Sequence, residues 1–229
     1  MAGIAPWGRD AALAETFGTR ARGLHRRRNR LLKTACEWPA ALVLMLLLSP
    51  LLALIAWRVR QDGGPALFVQ TREGMYGQAI RVFKFRSMRV ETCNANARNS
   101  LDATGDRVTP LGHMLRRTGL DELPQLFNVL NGTMSLIGPR PHVFAMSVGD
   151  TLYTDLVPGY ADRLAARPGI TGLAQARGWC GAVDSVQHAV CRVMSDREYI
   201  AHWSLGLDLR IALKTARLML GHLTGRSAA

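Results

Sequence analysis

In Leu115–Pro141, LRRTGLDELPQLFNVLNGTMSLIGPRP, an acidic pair sits where a helix should begin, with arginines on both sides. Thr118 is placed to act as an N-cap three residues before Asp121. Pro124 suits a first helical turn, where its missing N–H costs nothing. Leu123, Leu126, Phe127 and Leu130 recur at helical spacing, which predicts one buried face. Asn131-Gly132 reads as the stop. Met134 to Ile137 then reads as a short buried strand that ends in Gly138-Pro139-Arg140-Pro141, a rigid turn carrying one cation. Asp121 and Glu122 have two readings. They can serve the helix dipole, or they can be chemical, because adjacent helical residues point about a quarter turn apart. One carboxylate could then face a reactive centre while the other holds a metal. Arg116, Arg117 and Arg140 supply more positive charge than two acids need. Among such cations a carboxylate is expected to stay ionised at neutral pH and can act as a nucleophile toward phosphorus.

The whole chain of 229 residues allows one domain, or one domain with an attachment. Lys and Arg number 29 against 17 Asp and Glu, and the net charge of +12 suits an anionic partner: nucleic acid, acidic lipid or a phosphorylated substrate. Cys36, Cys93, Cys180 and Cys191 show neither CxxC nor zinc spacing, so a reducing compartment is expected and a disulfide framework is not.

Residues 1–37 are polar and basic and read as an arm leading into a membrane-surface helix, with a nucleic-acid tail as the competing view. Their place directly before an apolar run favours anionic headgroups. Trp38 to Trp57, WPAALVLMLLLSPLLALIAW, has no charged residue. As a straight helix its roughly 20 residues reach about 30 Å, barely a bilayer core. Ser49-Pro50 interrupts it, since proline removes a backbone hydrogen bond and crowds the carbonyl four residues back. Basic residues flank both ends, which marks both as cytoplasmic and favours a segment that enters and returns. A kinked full span is equally open on these grounds, and the long basic region and free thiols argue against a cleaved export signal.

Beyond that segment, residues 66–70 read as a strand, 71–78 as a turn, and 80–88, IRVFKFRSM, as a strand with Phe83 and Phe85 on one face and Lys84 and Arg86 on the other. Residues 89–109 read as a long loop and 143–162 as a peripheral helix. Arg167-Pro168-Gly169-Ile170-Thr171-Gly172 repeats the Arg-Pro-Gly device, and its backbone N–H groups could cradle an anion. Helices are expected from about Val186 through Trp203 and from Asp208 to Leu220. The second puts Leu209, Leu213, Ala216 and Leu220 on one side and Arg210, Lys214 and Arg217 elsewhere, as a helix lying on a membrane surface would. A helix packed on the core is the alternative.

KFRSM, the DELPQLFNVL-to-GPRP block, RPGITGLAQ and DREYIAHWSLGLDLRIALKT together resemble the bacterial sugar transferases, monotopic polyprenyl-phosphate phosphoglycosyl transferases, over about residues 36–220. The resemblance implies a small mixed, helix-rich α/β catalytic domain (61–229) with a short sheet and amphipathic surface helices. Ahead of it stands a re-entrant membrane helix (38–60) broken at Ser49 and Pro50. It implies a protein of the bacterial inner membrane facing the cytosol, with Asp121 as nucleophile and Glu122 as its partner, the two holding Mg2+. Lys84, Arg86, Arg116, Arg140 and Arg167 would neutralise substrate phosphates. The donor would be a UDP-sugar and the acceptor undecaprenyl phosphate, on an anionic membrane surface with no nucleic acid. PRPH and GLAQARGW look nearest to members that load glucose or galactose phosphate. The rival reading, a non-catalytic membrane-anchored nucleotide-sugar-binding protein, predicts a missing acid or cation in the central block, and none is missing. Oligomeric state is not legible.

Overall fold

The computed structural model describes residues 23–89, 107–183 and 185–223. The basic arm up to residue 22 and most of the expected 89–109 loop lie outside them. A 3-10 turn at Gly23–His25 leads into α1, Arg27–Arg60, one helix of 34 residues. The expected boundary between arm and apolar segment therefore falls inside a continuous helix. It is long and apolar enough to cross a membrane.

The helical assignment runs through Ser49-Pro50 without interruption. Pro50 has no N–H for the Leu46 carbonyl, and the Ser49 hydroxyl donates to that carbonyl at 2.7 Å, so the orphaned acceptor is satisfied locally. Both halves of α1 lie along the same body. Ala41, Met45 and Leu48 pack with Ile80, Val82, Leu126, Val129 and Met134. Ile55 and Val59 pack with Phe85 and Leu115. The outer face carries Leu42, Val43, Leu46, Leu47, Leu54 and Trp57, all exposed.

Three two-stranded sheets are found among the described residues. β1, Leu67–Glu73, pairs antiparallel with β2, Ala79–Phe85, with Leu67 opposite Phe85. After α2, Pro110–Thr118, the chain turns through Gly119 at φ +71° into a 3-10 turn, Leu120–Gln125, and then α3, Leu126–Leu130. Thr118 is therefore not an N-cap. It ends α2, and its hydroxyl donates back to the Met114 and Leu115 carbonyls. The helix expected from Asp121 begins as 3-10 because Gly119 reverses the chain just before it. The stop at Asn131-Gly132 stands where expected, with Gly132 at φ +80°.

β3, Ser135–Ile137, pairs in parallel with β6, Gly169–Thr171. Here the glycines serve close approach rather than an anion cradle. A Cβ on Gly138 would meet the Arg167 carbonyl oxygen at 2.6 Å, and one on Gly169 would meet the Gly138 nitrogen at 2.1 Å. The Gly169 N–H donates to the Pro139 carbonyl and the Gly138 N–H to the Thr171 carbonyl, both at 2.8 Å. The expected 143–162 helix is instead a small hairpin of β4, Ser147–Val148, and β5, Thr151–Leu152. It is followed by α4, Tyr153–Leu156, and a 3-10 turn, Tyr160–Ala165. This region is not peripheral, since Tyr153 and Tyr160 are core residues. α5, Leu173–Ala176, α6, Val186–His202, and α7, Leu205–Leu223, complete the chain.

Candidate active site

The acids are delivered by the 3-10 turn after Gly119, and the facing cation by β2. Asn128, on α3, locks the two together. Its side-chain oxygen accepts from the Phe83 N–H at 3.1 Å, and its amide donates to the Arg81 carbonyl at 2.7 Å. Lys84, one residue along β2, then meets Glu122 at 2.8 Å. Arg140 reaches the same carboxylate from the turn after β3. Its two terminal nitrogens bond Oε1 at 2.7 Å and Oε2 at 3.2 Å, the fork geometry that guanidinium favours.

Each Glu122 oxygen therefore already accepts from a cation, Oε2 from one nitrogen only, whereas the Asp121 oxygens accept from none of those described. Among the described residues the Asp121 carboxylate makes no side-chain hydrogen bond. The residue is 8% exposed. Its oxygens are not among the sealed, unpartnered atoms of the described residues, which are His142 Nε2, Tyr153 Oη, Gln175 Oε1 and Asp196 Oδ1. The acid is buried to its tip and open there.

Electrostatics separate the pair. Burial pushes Asp121 above the ordinary aspartate range, opposite to the direction expected for a surface helix start. Lys84, Arg140 and Arg116 pull it back, and the neighbouring Glu122 adds to the rise. Burial also raises Glu122, but contact with Arg140 and Lys84 outweighs it and holds this carboxylate well below the usual range. The two neighbours thus have different roles available: Glu122 is a fixed anion organising two cations, and Asp121 is an unpaired carboxylate beside them.

The remaining expected cations divide. Arg116 acts on Asp121 and donates through Nε to Ser87 at 2.8 Å. Arg86 is buried, and its guanidinium donates to the backbone carbonyls of Pro65, Met88 and Val59, where it ties the end of α1 to β2. Arg167 donates to Thr34 on α1 at 3.1 Å. These two hold the framework. Sequence reading missed Arg72. It lies on β1, donates to Gln70 and to the Pro141 carbonyl, and interacts with Arg140 and Glu122. Burial, with Arg140 nearby and against the pull of Glu122, lowers its pKa to about 10. Strand alternation on β1 could have flagged it, because Arg72 faces the same way as buried Gln70.

Two adjacent carboxylates, one free of hydrogen-bond donors, suit Mg2+, which takes one or two carboxylates and fills its octahedron with phosphate oxygens and water. No group of three or more His, Cys, Asp or Glu side chains able to hold a metal occurs among the described residues. Asp121 and Glu122 are the residues that would hold such an ion.

Residues 28–222 match the family model described as bacterial sugar transferase. The chain is 45% identical over 185 residues to the exopolysaccharide production protein PSS of Rhizobium leguminosarum bv. phaseoli, covering 80% of this chain and 92% of that protein. It is 46% identical over 188 residues to the UDP-glucose:undecaprenyl-phosphate glucose-1-phosphate transferase of Escherichia coli K12, with 82% of this chain and 40% of that protein aligned. An undecaprenyl-phosphate galactose phosphotransferase of Salmonella typhimurium is 36% identical over 213 residues, 86% of this chain and 42% of that protein. The chain thus spans nearly all of the first relative and under half of the other two. With the family's match running from α1 to α7 and enclosing the acidic pair, the chain belongs to the bacterial sugar transferase family.

Proposed function

We propose that the chain transfers a hexose 1-phosphate from a UDP-sugar, UDP-glucose or UDP-galactose, to undecaprenyl phosphate, releasing UMP and beginning an exopolysaccharide or another surface glycan. The observation that carries this reading is the unpaired, tip-exposed Asp121 beside a Glu122 already held by Lys84 and Arg140. An Asp121 carboxylate oxygen attacks the sugar-linked phosphorus, a phosphorus–oxygen bond forms, the bond to the bridging oxygen breaks, and UMP leaves with that oxygen. A phosphate oxygen of the lipid then attacks the same phosphorus and returns the carboxylate. Lys84, Arg140 and Arg116 stabilise charge on the transferred group. Asp121 and Glu122 would hold Mg2+, which when bound neutralises diphosphate charge.

The lipid acceptor requires the acids at headgroup depth on the cytosolic side of the inner membrane. Support for a re-entrant α1 comes from its packing: both halves lie on the body that carries the acids, while one face of the same helix is exposed leucine, valine and tryptophan. A perpendicular span would carry its middle away from that body.

The test is a half-reaction. With donor and Mg2+ alone, the protein should release about one UMP per chain and retain label from a donor labelled at the sugar-linked phosphate. Asp121→Asn should do neither and should lose at least about 1,000-fold in turnover. UMP release only when lipid phosphate is present, or parent-rate turnover by Asp121→Asn, would remove the covalent mechanism. Donor binding without any UMP release would favour a binding protein.

A further inference from the structure

Arg163 lies in the 3-10 turn Tyr160–Ala165, a region in which the sequence shows no chemistry, and is 2% exposed. A buried guanidinium is costly unless paired. Its partner is Asp196 on α6, itself 1% exposed, with Nε and Nη2 on Oδ2 at 3.0 and 2.9 Å. The guanidinium also lies over the Tyr160 ring, 5.4 Å from its centre. For the fold alone, apolar residues of similar volume would serve as well.

The pair does something more specific: Arg163 also donates through Nη2 to the backbone carbonyl of Arg140. The next carbonyl, Pro141, accepts from Arg72, and the one after, His142, accepts from the Glu73 N–H at 2.8 Å. Three consecutive carbonyls of the turn that carries Arg140 are thus pinned. Of the three pins, the one at Arg140 itself is a side chain anchored by its own buried counter-ion.

We propose that Arg163, anchored by Asp196, is a positioning residue: it fixes the backbone from which the Arg140 guanidinium reaches Glu122 and the substrate diphosphate. This rests on the functional reading of Arg140 given above. The groups around Arg163 are Asp196 and Arg192 on α6, Glu73 on β1, Tyr160 on its own turn, and His142 and Arg140 on the pinned turn. Burial lowers its acidity constant's exponent while Asp196, Tyr160 and Glu73 raise it, and the net direction is upward. The pin therefore carries its charge throughout the working range.

The experiment is a double-mutant cycle on the full chain in nanodiscs, with Arg163→Met, Arg140→Lys and the double variant. It reads both kcat/KM for UDP-glucose and its affinity by calorimetry, which needs no turnover. If Arg163 acts through Arg140, Arg163→Met loses about 100-fold in kcat/KM, the loss expected from a misplaced catalytic group. The same change then costs under about threefold once Arg140 is lysine, and Arg163→Lys recovers part of the loss. A merely structural role gives the same fold-loss in both backgrounds, and that result, or an Arg163→Met enzyme at parent rate, overturns the proposal. Should Arg163→Met not accumulate, Asp196→Asn replaces it in the same cycle. If Arg140→Lys itself leaves rate and affinity unchanged, the reading of Arg140 fails instead, and the two failures are told apart.

Discussion

Burial raises both members of the acidic pair, yet only Glu122 touches cations, and its carboxylate ends well below the usual range while that of Asp121 ends above it. Geometry rather than residue type produces the split, because Lys84 and both terminal nitrogens of Arg140 converge on one carboxylate. The consequence for stability has a definite sign. A group depressed in the folded state stabilises above its unfolded pKa, about 4.3 for glutamate, and loses that contribution as pH falls through the folded value. Glu122→Gln should therefore be less stable than the parent at pH 7, and the gap in thermal midpoint should narrow steadily below about pH 4.3. Asp121, shifted upward partly by Glu122, works in the other direction, and relief of that repulsion in the variant takes back part of the gap at pH 7. An equal gap at pH 7 and pH 3 would mean that the three-way ion pair contributes nothing. The pairing itself was visible in sequence only as an excess of positive charge. Which cations meet the acids was not, because Arg86 and Arg167 are indistinguishable from Lys84 and Arg140 until the backbone carbonyls and Thr34 that engage them are in place.

Among the elements, α1 is fastened to the site by a buried ionic knot. Lys33 bonds Glu37 at 2.7 Å and Asp208 on α7 at 2.8 Å. Asp208 also accepts from Tyr199 and Trp203, and Glu37 accepts from the Ile137 N–H of β3 at 3.0 Å. Tyr199 lies 3.1 Å from the Ile137 carbonyl. The N–H of the residue just before the Gly-Pro-Arg-Pro turn is thus held by α1 through Glu37, with Tyr199 of α6 lying against its carbonyl. Lys33→Met should leave two carboxylates buried together and destabilise by about 3–5 kcal/mol, the cost of removing one member of a buried pair. Thermal unfolding in detergent checks it, and a loss under about 1 kcal/mol would mean water reaches the knot. Sequence patterns found α6 and α7 because their caps and periodicity are local: Ser185 accepts from the His188 N–H as an N-cap should. They missed the knot and the 143–165 region for one reason. Both are built from contacts between residues far apart in the chain, and the hairpin and short turns there carry too few residues to show a period.

The whole molecule carries a net charge of +12, and among the described residues α1 and α7 present uncovered apolar faces. On α7, Asp208 and Ile211 face inward, Leu205, Leu209, Leu213 and Leu220 are exposed along one flank, and Arg210, Lys214 and Arg217 occupy the next. A helix with its inner side on protein, one outer side apolar and the next basic matches the boundary between acyl chains and anionic headgroups. If α1 supplies attachment, α7 supplies tilt, and tilt decides whether Asp121 meets a phosphate confined to the membrane. Placing glutamates at Leu209 and Leu213 should separate these roles, since each carries a penalty of up to about 2–3 kcal/mol at acyl-chain depth. The double variant should still float with liposomes through α1 and release as much UMP from donor alone as the proposed half-reaction gives for the parent. Its turnover with undecaprenyl phosphate in anionic vesicles should fall at least about tenfold, a change that needs only about 1.4 kcal/mol. Equal losses in the half-reaction and the full reaction would show that α7 supports the catalytic body rather than its seat on the lipid. No loss in either would leave the apolar flank without a part in acceptor delivery.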